Sequence, residues 1–341
     1  MRDIGTLCSR VATTFCAPML GAALCLAGAS GAANAKATFT TFDPPGSTGT
    51  FTSGINASGA VTGFYNSGNY HGFVRAANGA ITSFDPAGSF YTAPESINSS
   101  GTITGDFVDG TELSHGFVRS ASGAITSFDV SGGQAVYPVS INDSGTIAGS
   151  YEDLSEVFHG FVRDSSGNII TFDPQGSGIT NAVAINSAGT IAGVYASANA
   201  FHGFIRASNG TITSFDVPGS TNTLPTSINA DGVIAGNYYP QGAQAILGFV
   251  RAADGTITTF DPLDTDGTAA NAINDKGVIV GRYLARKNRQ YGFERMTGGK
   301  IKSLDPNGSH DTVATGINSK NTIAGDYADV SNIWHGYVFG K

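Results

Sequence analysis

The sequence predicts an all-β protein, a seven-bladed β-propeller with four antiparallel strands per blade, its last blade closed by the N-terminal strand. Three observations predict it: a phrase repeated at a near-constant interval, a strand-and-turn composition, and two chain ends that look like parts of one blade. The phrase Ile-Asn-x-x-Gly-x-[Ile/Val]-x-Gly starts at Ile55, Ile97, Ile141, Ile185, Ile228, Ile273 and Ile317, with spacings of 42, 44, 44, 43, 45 and 44 residues. In the last copy Asn321 replaces the first glycine. A period of about 40–50 residues is that of a propeller blade.

Each copy reads as four strands. In the second they are expected at 92–98, 102–108, 115–120 and 124–129, runs rich in Ile, Val, Thr and Phe bounded by Gly, Asn, Asp and Ser. Turn pairs such as Asn78-Gly79, Asn209-Gly210 and Asp254-Gly255 suit tight hairpins because they tolerate positive φ. No stretch carries a convincing helical period. Phe117-Val118 and Phe161-Val162 place apolar side chains on both faces of a strand, as a sheet sandwiched between two others requires. The blades are expected at about 50–85, 92–129, 136–173, 180–216, 223–261, 268–305 and 312–341 plus 37–43.

The ends supply the argument for closure. Residues 37–43 end in Phe42-Asp43 and resemble a fourth strand without a blade. Residues 334–341 resemble a third strand without a fourth. Pairing them would remove two open sheet edges.

Residues 1–35 stand apart. Arg2 and Arg10, an apolar run from Val11 to Gly28 and the terminal Ala33-Asn34-Ala35 form the pattern of a cleaved secretory signal. Cys8, Cys16 and Cys25 all lie in it, so the remaining single propeller domain, 36–341, has no cysteine and must be held by its core. The expected location is therefore extracellular, periplasmic or at the cell surface. Removing Arg2, Arg10 and Asp3 moves the formal net charge from −8 to −9, which disfavours a nucleic-acid partner. No later segment has the roughly 20 apolar residues of a membrane span.

Within each unit the phrase is followed by His-Gly-Phe at His71, His115, His159 and His202, drifting to Leu247-Gly248-Phe249, Tyr291-Gly292-Phe293 and His335-Gly336-Tyr337. The combination resembles the extracellular repeat family named after a His-Ala-Phe tripeptide, with Gly here in place of Ala. That resemblance covers residues 36–341 and implies a propeller-like β fold and export. It implies no particular chemistry.

A residue placed in every unit is a structural part first, since one catalytic site cannot use copies spread around a ring. The recurring Asn and Asp suit Asx turns. The recurring His suits a bond to Thr, Asp or backbone, and the recurring Arg a pairing with the recurring Asp or a strand-end position where its stem lies on apolar surface. Departures from the repeat are the better candidates, and they lie in the loops after second strands and the crossovers between units. Tyr91, Tyr137, Asn181 and Asn222 are aromatic and amide groups suited to stacking on sugars and bonding them. Arg286, Lys287 and Arg289, near Arg282, Lys300 and Lys302, concentrate positive charge on an acidic chain, as an acidic glycan or a solvated loop would have it. Asp261, Asp264 and Asp266 hint at Ca²⁺ but lack further ligands. His310 beside Asp311, with Glu95, is the only acid–base material outside the repeat, and no nucleophile accompanies it.

These features predict a secreted, monomeric, non-enzymatic binding or scaffold protein without a cofactor. Its loop-rich face would meet a small molecule, glycan or protein. The alternatives are a lyase or hydrolase working at the channel mouth, and an inert envelope component.

Overall fold

The computed structural model describes residues 37–243, 245–262, 266–285 and 289–340. The expected signal segment, 1–35, lies outside them. The described residues form 28 strands and no helix. Five sheets have four antiparallel strands each. A sixth has eight, in which the strands of 49–84 and 89–128 are joined by a single parallel pair, Tyr70 with Tyr91. The protein is all-β, built of four-stranded antiparallel units. In the second unit the strands are Ser89–Ile97, Ile103–Asp109, Ser114–Arg119 and Ile125–Phe128, so the first strand begins three residues earlier than the expected 92. The extension pairs Tyr91 with Val108 past a bulge.

The repeated phrase is the hairpin between first and second strands. Asn98 N–H donates to the Thr102 carbonyl at 3.0 Å, and the turn places Gly101 at φ 85°. Asn321 holds φ 63° at the same place, a conformation asparagine tolerates better than most side chains, which explains the one departure from glycine. The second glycine of the phrase answers a different need. A Cβ at Gly105 would run into the Ala93 carbonyl across the strand pair, beside the bulge between Pro94 and Ser96.

The asparagine of each phrase is buried and uses both ends of its amide. Its Oδ1 closes its own turn, as Asn98 does by accepting from Thr102 N at 2.9 Å. Its Nδ2 donates to the asparagine carbonyl of the next unit. Asn56 bonds Asn98 at 3.0 Å, Asn98 bonds Asn142 at 3.1 Å and Asn142 bonds Asn186 at 3.1 Å. Asn186, Asn229 and Asn274 continue the series, and Asn318 donates back to Asn56 at 3.1 Å. The bonds form a cycle. First strands of successive units lie side by side around it, the last against the first.

Units also lock by stacking. Phe73, Phe117, Phe161, Phe204, Phe249 and Phe293, on third strands, are fully buried. Arg119 ends the same strand with its guanidinium carbon 4.7 Å from the Phe84 ring centre, in the preceding unit. Arg75, Arg163, Arg206, Arg251 and Arg295 repeat the contact. The expected pairing of these arginines with the recurring Asp is not what forms. The recurring Asp instead bridges units by accepting from His and Thr. Asp85 takes His71 Nδ1 at 2.7 Å and Thr92 Oγ1 at 2.7 Å.

Thr38–Phe42 pairs antiparallel with Trp334–Gly340, from Thr38 opposite Gly340 to Phe42 opposite Gly336. Phe42 is buried, and Phe39 packs on Tyr337 and Phe339. Asp43 accepts from His335 Nδ1 at 2.7 Å and from Thr50 Oγ1 at 2.6 Å. The chain ends thus reproduce the bridge found between other units. Deleting residues 37–43 removes two packed phenylalanines and leaves a bare strand edge. It is expected to lower Tm by about 10 °C and to cause association, measured by calorimetry and light scattering.

Candidate functional site

In the units whose third and fourth strands are joined by a turn, that turn and the first–second turn share one end, where Gly101 approaches Ala121. At that end a cavity of about 190 Å³ is lined by Asn142, Asn186, Asn229, Asp143 and Asp275, so it sits on the asparagine cycle. The crossovers and the loops after second strands lie at the opposite end. Tyr91, Tyr137, Asn181, Asn222, Glu95, His310 and Asp311 all lie on first strands.

Tyr91 packs on Tyr70 at 5.3 Å and on Phe64 at 6.3 Å between ring centres. Tyr137 stacks on Phe158 at 5.8 Å and 28°. Asn181 faces Val194 across its strand pair. Asn222 Oδ1 accepts the Phe201 amide at 2.8 Å, capping the neighbouring unit's third strand. Asp311 does the same for the Gln290 amide at 2.7 Å, and its Oδ2 lies 3.1 Å from His310 Nδ1.

Arg289 is drawn into the framework. Its Nη2 bonds both Asp305 oxygens at 3.1 and 3.0 Å, and its Nε donates to the His310 carbonyl at 2.9 Å. In this unit Tyr291 occupies the repeat-histidine position, and Arg289 supplies the contact that histidine makes to the recurring Asp elsewhere. Asp261 accepts from Thr268 Oγ1 at 2.9 Å, again the bridging role. Arg286, Lys287 and Asp264 lie outside the described residues. Among the described residues, Asp261 and Asp266 included, no group of three or more His, Cys, Asp or Glu side chains is placed to hold a metal.

Sequence reasoning missed an aromatic surface at this end. Phe51, Phe64, Tyr70, Tyr91 and Trp334 form a continuous aromatic shelf. Ring centres are 5.2 Å apart for Phe51–Phe64, 5.9 Å for Phe51–Trp334 and 5.7 Å for Phe64–Tyr70. All five rings are partly open, Tyr70 at 37% exposure. A signal for it existed. The position between the second glycine and the following aromatic reads Phe64, Asp106, Ser150, Val194, Asn237, Arg282 and Asp326, among the most varied columns inside the repeat. Its side chains meet the next unit. Asn237 bonds both the N–H and C=O of Ala270, and Asp326 accepts from Thr52 N and Oγ1 at 2.6 and 2.7 Å.

Asp106 occupies that column beside Glu95. Water touches part of each residue, but the protein around them is dense. Burial pushes Asp106 up to about 7, against a weak opposing contact from Ser114 Oγ at 3.4 Å. Burial, then the Asp106 charge, holds Glu95 well above the usual carboxylate range. Tyr137 is pushed up to about 12 by burial and then by Glu152 and Asp106. Glu95 and His310 belong to different groups, one facing Asp106 and the other Asp311.

The outer rim carries an open pocket of about 440 Å³ lined by Phe107, Asp109, His115 and Asp129. His115 spans the two carboxylates, at 3.3 Å from Asp109 and 2.7 Å from Asp129. His159 and His335 repeat the arrangement, so it belongs to the framework.

No protein-family model and no curated protein sequence matches the chain. Among solved structures it is similar to virginiamycin B lyase from Staphylococcus aureus, with TM-score 0.61 and 14% identity over 90% of this chain and 100% of that one. It is also similar to the β-propeller domain of the Trilobed protease from Pyrococcus furiosus, with TM-score 0.61 and 10% identity over 86% and 94% of the two chains. An oligogalacturonate lyase from Vibrio parahaemolyticus has TM-score 0.61 at 11% identity, over 89% and 96%. Likeness at such identities establishes the fold alone: the chain is a β-propeller protein.

The titrating groups set a pH dependence. Burial holds Asp106 and Asp326 near 7 in the folded protein, whereas an unfolded Asp ionises near 4. The fold therefore binds more protons between about 4 and 7, and stability falls as pH rises through that window. His115, lowered by burial but raised on balance by Asp129 and Asp109, acts in the same sense, its contribution lost as pH rises through its folded value. Asp109, held at about 2 chiefly by the Thr111 hydroxyl and amide, opposes only by losing its contribution as pH falls toward 2. Thermal melts should show a higher Tm near pH 5 than near pH 8. Asp326→Asn, which keeps an oxygen acceptor for Thr52, should narrow the gap.

Proposed function

We propose that the chain closes as a seven-bladed propeller and binds a carbohydrate at the loop-rich mouth of its central opening. The observation that carries the carbohydrate is the aromatic shelf of Phe51, Phe64, Tyr70, Tyr91 and Trp334. Sugar rings present flat C–H faces that pack on aromatic faces, while their hydroxyls need polar partners at the edge of the same surface. Tyr70, Tyr91 and Tyr137 supply phenol groups, and Glu95 with Asp106 supplies acceptors. An apolar surface left open beside polar groups marks a binding site. The asparagine cycle and the paired chain ends support the closed ring. The same reading takes residues 1–35 as an export signal and the chain as an extracellular His-Ala-Phe-type repeat protein. The exported product should begin at Lys36, read by mass spectrometry of the intact protein.

Trp334 is the only tryptophan in the chain and sits in the shelf, so its fluorescence reports directly on the site. Titration with a panel of oligosaccharides should change its emission saturably for at least one of them. Tyr70→Ala should weaken that binding by about tenfold or more. A panel that leaves the emission unchanged and shows no heat of binding would count against the reading.

A further inference from the structure

We infer that the shelf takes a chain of linked sugars, laid across the place where the two ends of the protein meet, and that its binding fastens that joint. This rests on the shelf being a carbohydrate site; it adds the size of the ligand and what binding does to the fold.

The shape of the shelf decides the first half. The ring planes differ by 34° between Trp334 and Phe51 and by 25° between Phe51 and Phe64, then turn by 69° at Tyr70. The rings thus form a row of low steps that ends at an upright Tyr70, with Tyr91 beside it at 6.3 Å from Phe64. A sugar ring is close to a phenyl ring in size and covers one step. Linked sugars cover several, and each unit after the first is held near its step by the bond to the one before, so affinity accumulates along the chain. The row is particular to this part of the molecule. Phe51 and Phe64 face each other across the first strand pair, and no other unit has aromatic rings at both positions.

The course of the chain decides the second half. The outer strand of the seventh unit, Thr38–Phe42, comes from the opposite end of the chain and is held on Trp334–Gly340 by non-covalent contacts alone. With it, Thr52 bonded to Asp326 at 2.6 and 2.7 Å and Asn318 bonded to Asn56 at 3.1 Å hold the first unit against the seventh. Trp334 lies on the seventh-unit side of this joint, and the other four rings lie beyond it. The shelf crosses at the Phe51–Trp334 contact, 5.9 Å between ring centres. When the joint parts, Trp334 leaves with the third strand of the seventh unit and the row is cut. A ligand touching rings on both sides therefore binds the joined form and stabilises it by the factor 1 + [L]/Kd. A single sugar rests on one side or the other and lacks that linkage.

The probes are three ladders of one to six units, cello-, malto- and N-acetylated chito-oligosaccharides, titrated by Trp334 emission and by calorimetry. In a ladder that binds, affinity should rise about tenfold or more from one unit to three and level off beyond about four. Amide exchange of the segment 38–42, read by mass spectrometry, should slow about a hundredfold with the tetramer at about a hundred times its Kd. The monosaccharide at equal saturation should leave that exchange unchanged. Trp334→Leu, followed by calorimetry, should keep part of the tetramer's affinity and lose the slowing, with melting curves confirming that the variant folds. A monosaccharide that binds as tightly as the tetramer overturns the chain assignment. Tight binding of the tetramer with unchanged exchange at 38–42 overturns the fastening. Both of these results leave the shelf as a carbohydrate site, whereas absence of binding in all three ladders removes that reading and this inference with it.

Discussion

One hydrogen bond, made by seven asparagines in turn, carries the architecture. Each buried amide fastens its own hairpin with its oxygen and the next hairpin with its nitrogen. A primary amide suits the task because it offers donor and acceptor in a fixed plane, and a buried one left half-satisfied would cost more than the bond gains. Such a bond cannot be relaxed in one unit without leaving two polar groups unpartnered, one in each of two neighbours. The spacing of the units is thereby set at the axis, and everything further out inherits it: the Arg–Phe stacks, the Asp bridges and the packing of third strands.

With the axis pinned, the interfaces between units are free to differ. The column running from Phe64 to Asp326 shows how. Asn237 satisfies a backbone pair, Asp326 accepts from a threonine, and Phe64 opens an aromatic surface. The framework accepts these residues because the pleat presents them to the next unit without disturbing the hairpin that holds the axis. Asp106 differs from Asp326 in its neighbours. Asp326 accepts two short bonds from Thr52, whereas Asp106 meets a second carboxyl and one long contact. The same substitution thus serves as a structural clasp in one unit and as exposed chemistry in another.

Much of the fold was legible because turns carry distinctive residues and strands alternate around them. The Ile-Asn phrase located every first hairpin, and the unmatched strands at the two ends foretold the pairing of Thr38–Phe42 with Trp334–Gly340. Contacts between units were harder to read. Arg119 shows its charge in the sequence, but the ring it covers, Phe84, belongs to the preceding unit. Arg289 read as a free loop cation and proved to be a stand-in for a missing histidine. The shelf was invisible for a similar reason. Phe51 and Trp334 are nearly a whole chain apart and meet only across the joined ends. Phe64 and Asp106 lie within strands and not in the loops where binding residues usually sit.

The joined ends have a kinetic meaning. Asp43 and His335 are 292 residues apart, so Thr38–Phe42 can pair only when the far end of the described chain is in place. Until then Phe39 and Phe42 have no sheet to enter, while units with local hairpins can already form. Loop closure over such a distance costs little more entropy than over half of it, but the search is slow. The closing pair therefore has by far the largest sequence separation of any strand pair in the described residues, and the segment it draws in spans all the other units.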